Sequence, residues 1–305
     1  MAQFGKLSGK SIDLAKPFGF FDDIEINGSS MKTKAFLALS FLGLFWLFSG
    51  VASSGDLSPT MEKGIPVLAY HRFGPVVSDS MTVTTPVFES HLKYLQENGY
   101  RVVSLREMVD QHLKTVLPPG SRLVVMTADD AHLSVYTTAL PLIKKYRIPV
   151  TLFVYPSAVS NASYAMTWDQ LRELKATGLF DFHSHTYWHP NFKKEKARLS
   201  AAEFEKLVDM QLRKSREKLE KELKVKADLL AWPFGIHDPW LMNKAAEAGY
   251  TAAFTIERFP AGREDHSMAL PRYLMIDADQ GRAFEKIVNG YLITGKKGNG
   301  NGEKG

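Results

Sequence analysis

From residue 65 onward the chain repeats one arrangement: a short β-branched or apolar run, a polar turn, then a segment of helical length and mixed polarity. Alternation of this kind builds a parallel sheet covered by helices. Strands are expected at residues 65–70, 101–104, 122–127, 149–155, 179–183, 228–232 and 250–256, with helices at 86–98, 105–113, 135–146, 168–176, 201–223 and 239–248. Several strand segments are apolar nearly throughout, the pattern of strands buried on both faces. No internal repeat and no linker rich in Pro, Gly or Ser divides the stretch. The expectation is one α/β domain whose sheet is barrel-like or open.

The flanks read differently. Lys32 and Lys34 precede an unbroken apolar run over residues 35–48, and Ser49, Gly50, Ala52, Ser53 and Ser54 follow it. Charged, apolar and then small residues are the layout of a secretory signal peptide, so residues 31–54 are expected to direct export to the periplasm or the extracellular space. The alternative is an uncleaved membrane anchor over residues 35–52. Met31 is then a natural start, and residues 1–30 are an over-extended reading frame or a disordered extension. Residues 293–305, almost all polar or glycine, are read as a disordered tail.

Composition removes several chemistries. The chain has no cysteine among its 305 residues, which excludes disulfides, thiolate metal sites, a cysteine nucleophile and a lipid-modified cysteine. Any metal must rest on His, Asp or Glu. A net charge of +5, dispersed along the chain, is too mild to argue for nucleic acid. Residues 193–226 are rich in charge, but Glu217/Lys221, Glu220/Lys224 and Glu222/Lys226 beside an apolar stripe of Phe204, Leu207, Val208, Leu212, Leu219 and Leu223 describe a long helix with a solvated face.

In α/β folds chemistry gathers at the carboxyl ends of parallel strands. Here those ends carry Tyr70-His71, Thr127-Ala128-Asp129-Asp130, His183-Ser184-His185-Thr186-Tyr187-Trp188-His189-Pro190 and Trp232-Pro233-Phe234-Gly235. Singly each is weak: a lone histidine is more often structural, and paired aspartates also cap turns and helices. Together they offer two imidazoles and one carboxylate, a donor set that leaves a tetrahedral divalent ion an open position. The second carboxylate and His71 remain free to move protons. His183 is a spare candidate that shares a strand face with His185.

These motifs resemble the polysaccharide deacetylases, the NodB-homology carbohydrate esterases of family four, over residues 64–292. Thr127-Ala128-Asp129-Asp130 is similar to the family's T-F-D-D motif, residues 184–190 to its H-[ST]-x-x-H motif, and Trp232-Pro233-Phe234-Gly235 to the tail of its R-x-P-Y motif. The motif with the general-acid histidine usually comes last, whereas its match here, Leu68-Ala69-Tyr70-His71, comes first. That circularly permuted order resembles the deacetylases of poly-β-1,6-N-acetylglucosamine. The resemblance implies a distorted (β/α) barrel of about seven parallel strands. It also implies a divalent ion on Asp130, His185 and His189, with Zn2+ preferred over Co2+ or Ni2+. Asp129 would be the general base, His71 the general acid, and the Phe234 N–H an oxyanion donor. The implied substrate is an N-acetylated exopolysaccharide, met by a monomer that also has export machinery as a prospective partner.

Three positions depart from the family pattern: Ala128 for Phe, Ala131 for Gly, and Ala231 for the Arg that steadies the base, a role left to Arg272. They keep two alternatives open: a catalytically weak polysaccharide-binding domain, and a deacetylase of peptidoglycan or chitin-like oligomers.

Overall fold

The computed structural model describes residues 64–289; the signal segment, the preceding extension and the tail lie outside the described residues. In chain order the strands are β1 (Val67–Tyr70), β2 (Arg72–Gly74), β3 (Thr82–Thr84), β4 (Arg101–Val103), β5 (Leu123–Asp129), β6 (Val150–Val154), β7 (Phe180–Ser184), β8 (Leu229–Ala231), β9 (Ala252–Phe254) and β10 (Tyr273–Leu274). The helices are α1 (Thr85–Glu97), α2 (Leu105–Asp110), α3 (Leu140–Tyr146), α4 (Trp168–Ala176), α5 (Phe192–Arg198), α6 (Ala201–Leu223), α7 (Pro239–Glu247) and α8 (Arg282–Val288).

The sheet runs β10-β1-β5-β6-β7-β8-β9, with β4 paired to the start of β5, and all of its pairs are parallel. β2 and β3 pair separately. The seven expected strands are all present, and β10 adds an eighth. Residues 270–274 draw the two ends of the sheet together: Leu270 bridges Phe254 at the end of β9, while Tyr273 and Leu274 pair with Leu68 and Ala69 of β1. The result is a distorted (β/α) barrel in one domain.

Side-chain alternation divides the core as a two-residue period requires. Val67, Val125, Phe153, Leu229, Ala231, Ala252, Phe254 and Leu270 share one cluster, fed by strands all along the sheet, which is the barrel interior. Their neighbours Leu68, Val124, Met126, Leu152 and Val154 pack outward with the helices, as do Leu230, Trp232 and Ala253. Thr127 and Asp129 have the parity of Val125, so β5 aims both at the interior.

One expected helix is divided, and the expected 201–223 helix, present as α6, is preceded by the additional short α5. The 135–146 segment opens as a π turn over Val135–Ala139 before α3, because Pro141 has no N–H to give to the preceding turn. The charge-rich stretch is two helices, since Ser200 caps α6 through a box with Glu203. α6 ends at Leu223 with Lys224 left-handed (φ +51°), so the expected pairs beyond it do not form; Arg216–Glu220 and Lys218–Glu222 do. Ala128 leaves a small cavity among Tyr70, Phe73, Phe88, Met126 and Ile143 where a larger side chain would pack.

Tyr70, which precedes His71, is anchored from α1. Its O–H meets His91 Nδ1 at 3.0 Å, while His91 Nε2 donates to Asp279 O at 2.6 Å and the imidazole stacks on Phe284 at 3.9 Å. With both nitrogens used in the neutral form, burial lowers the His91 pKa to about 4, against the weaker opposing pull of Asp279. The unfolded chain, titrating near ~6.5, therefore binds more protons than the folded chain between these values, and stability falls as pH drops through that window. From pH 7 to pH 5 this one group is expected to cost about 2 kcal/mol, or roughly 4–8 °C in melting temperature. Thermal unfolding at the two pH values checks it, and His91→Gln should shrink the difference.

Candidate active site

At the end of β5 the backbone turns through two left-handed residues, Asp130 at φ +71° and Ala131 at φ +52°. Asp129, still in the strand, is buried in the barrel interior and held in a fork by Arg272: Nη1 to Oδ1 at 2.8 Å, Nη2 to Oδ2 at 2.7 Å. The same guanidinium donates to Thr127 Oγ1 at 3.1 Å and Thr255 O at 3.0 Å, and lies 5.1 Å from the Phe153 ring centre. Arg272 thus stands where Ala231 cannot, brought in by the segment that joins β9 to β1. Burial alone would raise the Asp129 pKa, but the Arg272 charge and its hydrogen bonds outweigh it and hold the carboxyl well below the usual range. Cutting such a buried pair on one side typically costs about 3–5 kcal/mol.

Asp130 points elsewhere. Its Oδ1 lies 3.7 Å from His185 Nε2 and 3.9 Å from His189 Nε2, and the donor atoms of the three residues all lie within 4.8 Å of one another. That carboxylate oxygen is buried with no hydrogen-bond partner. His185 Nδ1 donates to Ala231 O at 2.8 Å, so its Nε2 presents a lone pair to the group. Burial above all lowers the His185 pKa to about 3, and burial lowers that of His189 as well. Both imidazoles are therefore neutral, the form that binds metal. An orphaned buried carboxylate oxygen facing two neutral imidazoles is a donor set that fits a divalent ion.

His183 does not join the group. Fully buried, it pairs through Nε2 with Asp181 Oδ2 at 3.0 Å and accepts the Leu229 N–H at Nδ1. His71, at the end of β1, places Nε2 3.9 Å from Asp129 Oδ2, and its buried Nδ1 makes no hydrogen bond. Burial lowers its pKa, partly opposed by the Asp129 charge. Phe234 sits left-handed (φ +56°) on the turn after β8, with its ring 4.6 Å from that of His189.

Residues outside the motifs hold the histidine loop. From the middle of α6, fully buried Gln211 accepts the Tyr187 and Trp188 N–H groups at its Oε1, at 3.0 and 2.9 Å. Ser215 on the same helix accepts from Ser184 Oγ, which in turn accepts the Thr186 N–H. Thr186 Oγ1 accepts the His189 N–H at 3.2 Å. The sequence did carry a signal for Gln211: it interrupts the apolar stripe of α6 one turn after Val208, where a buried amide needs a partner.

With the fold and this rim described, comparison with known proteins gives one family: the polysaccharide deacetylase profile matches residues 117–253. The chain is similar to deacetylases of that family, proteins named as N-deacetylases. It is 28% identical to the poly-β-1,6-N-acetyl-D-glucosamine N-deacetylase of Staphylococcus aureus, over 68% of this chain and 71% of that protein. The structure of IcaB from Ammonifex degensii superposes with a TM-score of 0.65 at 27% identity, covering 74% of this chain and 97% of that one. The Streptococcus pyogenes deacetylase PplD shares the fold, with a TM-score of 0.66 at 22% identity over 74% of this chain and 98% of its own.

Two predictions follow from this geometry. Replacing His185 or His189 by Ala should remove most of the bound metal measured after dialysis, whereas His183→Ala should retain it. Gln211→Met keeps the volume but not the acceptor, and should weaken metal retention about 10- to 100-fold in a chelator competition. Gln211→Glu, which keeps an acceptor oxygen there, should stay closer to the parent.

Proposed function

We propose that the protein is a metal-dependent N-deacetylase that removes acetyl groups from N-acetylglucosamine units of an exopolysaccharide of the poly-β-1,6 kind. The observation that carries this reading is the placement of an Arg-held carboxylate, a free imidazole and an orphaned His/His/Asp donor set on one barrel rim. A divalent ion on Asp130, His185 and His189 would supply Lewis acidity toward the amide carbonyl and the attacking water. Asp129, kept anionic by Arg272, accepts the proton of that water. His71 Nε2 faces the same space, and its lowered pKa makes the protonated ring a ready donor to the departing amine, which is far more basic. The Phe234 N–H is assigned to the developing oxyanion. Its turn is fixed in advance by bonds from the Gly235 and Ile236 N–H groups to Trp232 O and Pro233 O.

The substrate assignment draws on the Staphylococcus aureus relatives and on the order of the motifs, with His71 ahead of the aspartates. Export, carried by the layout of residues 31–54, would bring the enzyme to such a polymer.

Acetate release from β-1,6- and β-1,4-linked N-acetylglucosamine polymers, before and after chelation and metal restoration, tests the reading. Asp129→Asn should keep the metal and lose about 10²–10⁴ in rate. His71→Ala should slow the sugar amide far more than an activated aryl acetate, whose leaving group needs no proton. Equal loss on both substrates would remove the acid role.

A further inference from the structure

The loop between β6 and α4 doubles back onto the turn that carries Asp130. The Leu133 N–H donates to Tyr164 O at 2.7 Å, the Met166 N–H to Ala131 O at 3.0 Å, and Ala165 bridges His132. Tyr164 is pinned by its side chain as well: its hydroxyl lies 2.5 Å from that of Tyr155, and its ring runs within 14° of parallel to His132 at 6.2 Å. Tyr155 connects this arrangement to the donor set, with its ring 5.4 Å from that of His189. Yet Tyr164 remains 44% exposed.

Holding a ring still in solvent costs side-chain entropy and leaves apolar surface wet. The Tyr155 hydroxyl and the His132 ring offset part of that cost, and a ligand that packs on the exposed face gains from a ring whose ordering is complete before it binds. The neighbour that a polysaccharide brings to this place is a second sugar ring, whose axial C–H groups form an apolar face matched to an aromatic one.

We propose that Tyr164 is a sugar-binding residue of a subsite beside the acetyl-bearing unit, stacking on an adjoining hexosamine and giving the enzyme its preference for polymer over single sugars. The proposal rests on the polysaccharide reading above. Tyr155 and His132 act as positioning residues: one tethers the hydroxyl and the other lies along the ring.

The test compares parent enzyme, Tyr164→Ala and Tyr164→Phe on β-1,6-linked N-acetylglucosamine oligomers of increasing length and on 4-nitrophenyl acetate. Tyr164→Ala should raise KM for the longer oligomers about tenfold with kcat nearly kept, and leave the aryl acetate within twofold. Tyr164→Phe, which retains the ring, should stay within about threefold of the parent on every substrate. Unchanged oligomer KM in Tyr164→Ala would overturn the subsite, as would equal losses on oligomer and aryl acetate. If the parent turns over the aryl acetate but releases no acetate from any oligomer, the functional reading fails, and the subsite with it.

Discussion

The fork between Arg272 and Asp129 is the interaction on which the rest of the site depends. Two charges inside an apolar barrel are expensive to desolvate, and the pair survives there because nearly every donor of the guanidinium is used: two on the carboxylate, one on Thr127, one on Thr255. Its effect is to give two consecutive aspartates opposite characters. Asp129 is kept ionised by its partner, whereas Asp130, one peptide further on, is pushed up by burial, partly opposed by the His71 charge. Environments that separate two adjacent carboxylates in this way are how one site divides acid–base and ligand duties between like groups.

Much of this was legible in the sequence, because a parallel barrel writes its strands as apolar runs and collects its polar residues where those runs stop. The limits of the reading are physical. Apolar patterning reports burial rather than hydrogen bonding, so strand ends shift by a residue or two, and Asp129 proves to be the last residue of β5 rather than part of a loop. β10 is two residues long, directly after Pro271-Arg272, and has no pattern to detect. The division between α5 and α6 was announced by Ser200 and Glu203, a capping signal hidden among charges. In the site, the residue types and their rim were readable, but Arg272 lies 143 positions from its partner and only the fold brings them together. Gln211 shows itself only as a polar break in the apolar stripe of α6, and its partners, the main-chain N–H groups of Tyr187 and Trp188, leave no side-chain pattern.

The site also concentrates backbone strain. Five of the eight non-glycine residues with positive φ among the described residues belong to it: Asp130, Ala131, Thr186, His189 and Phe234. Each such conformation costs on the order of 1 kcal/mol for an L-residue, and the cost is met by bonds around it, from Thr186 Oγ1, Ser184 Oγ and Gln211 on the histidine loop and from Met166 on the aspartate turn. The alanine at position 131 therefore sits where glycine would be unstrained, and the fold tolerates it because the turn is tied from outside.

The segment that joins β9 to β1 carries a consequence for how the protein is made. A ribosome delivers Asp129 long before Arg272, and until the guanidinium arrives that carboxylate is a lone charge facing an interior that has not yet lost its water. The ring of strands cannot dry out around it. The metal-donor residues, all within 130–189, are synthesised together, but the base among them is completed only by the final turn of the barrel. The ion pair therefore cannot form before residue 272 is present, and any chain cut short ahead of it carries Asp129 without its cationic partner.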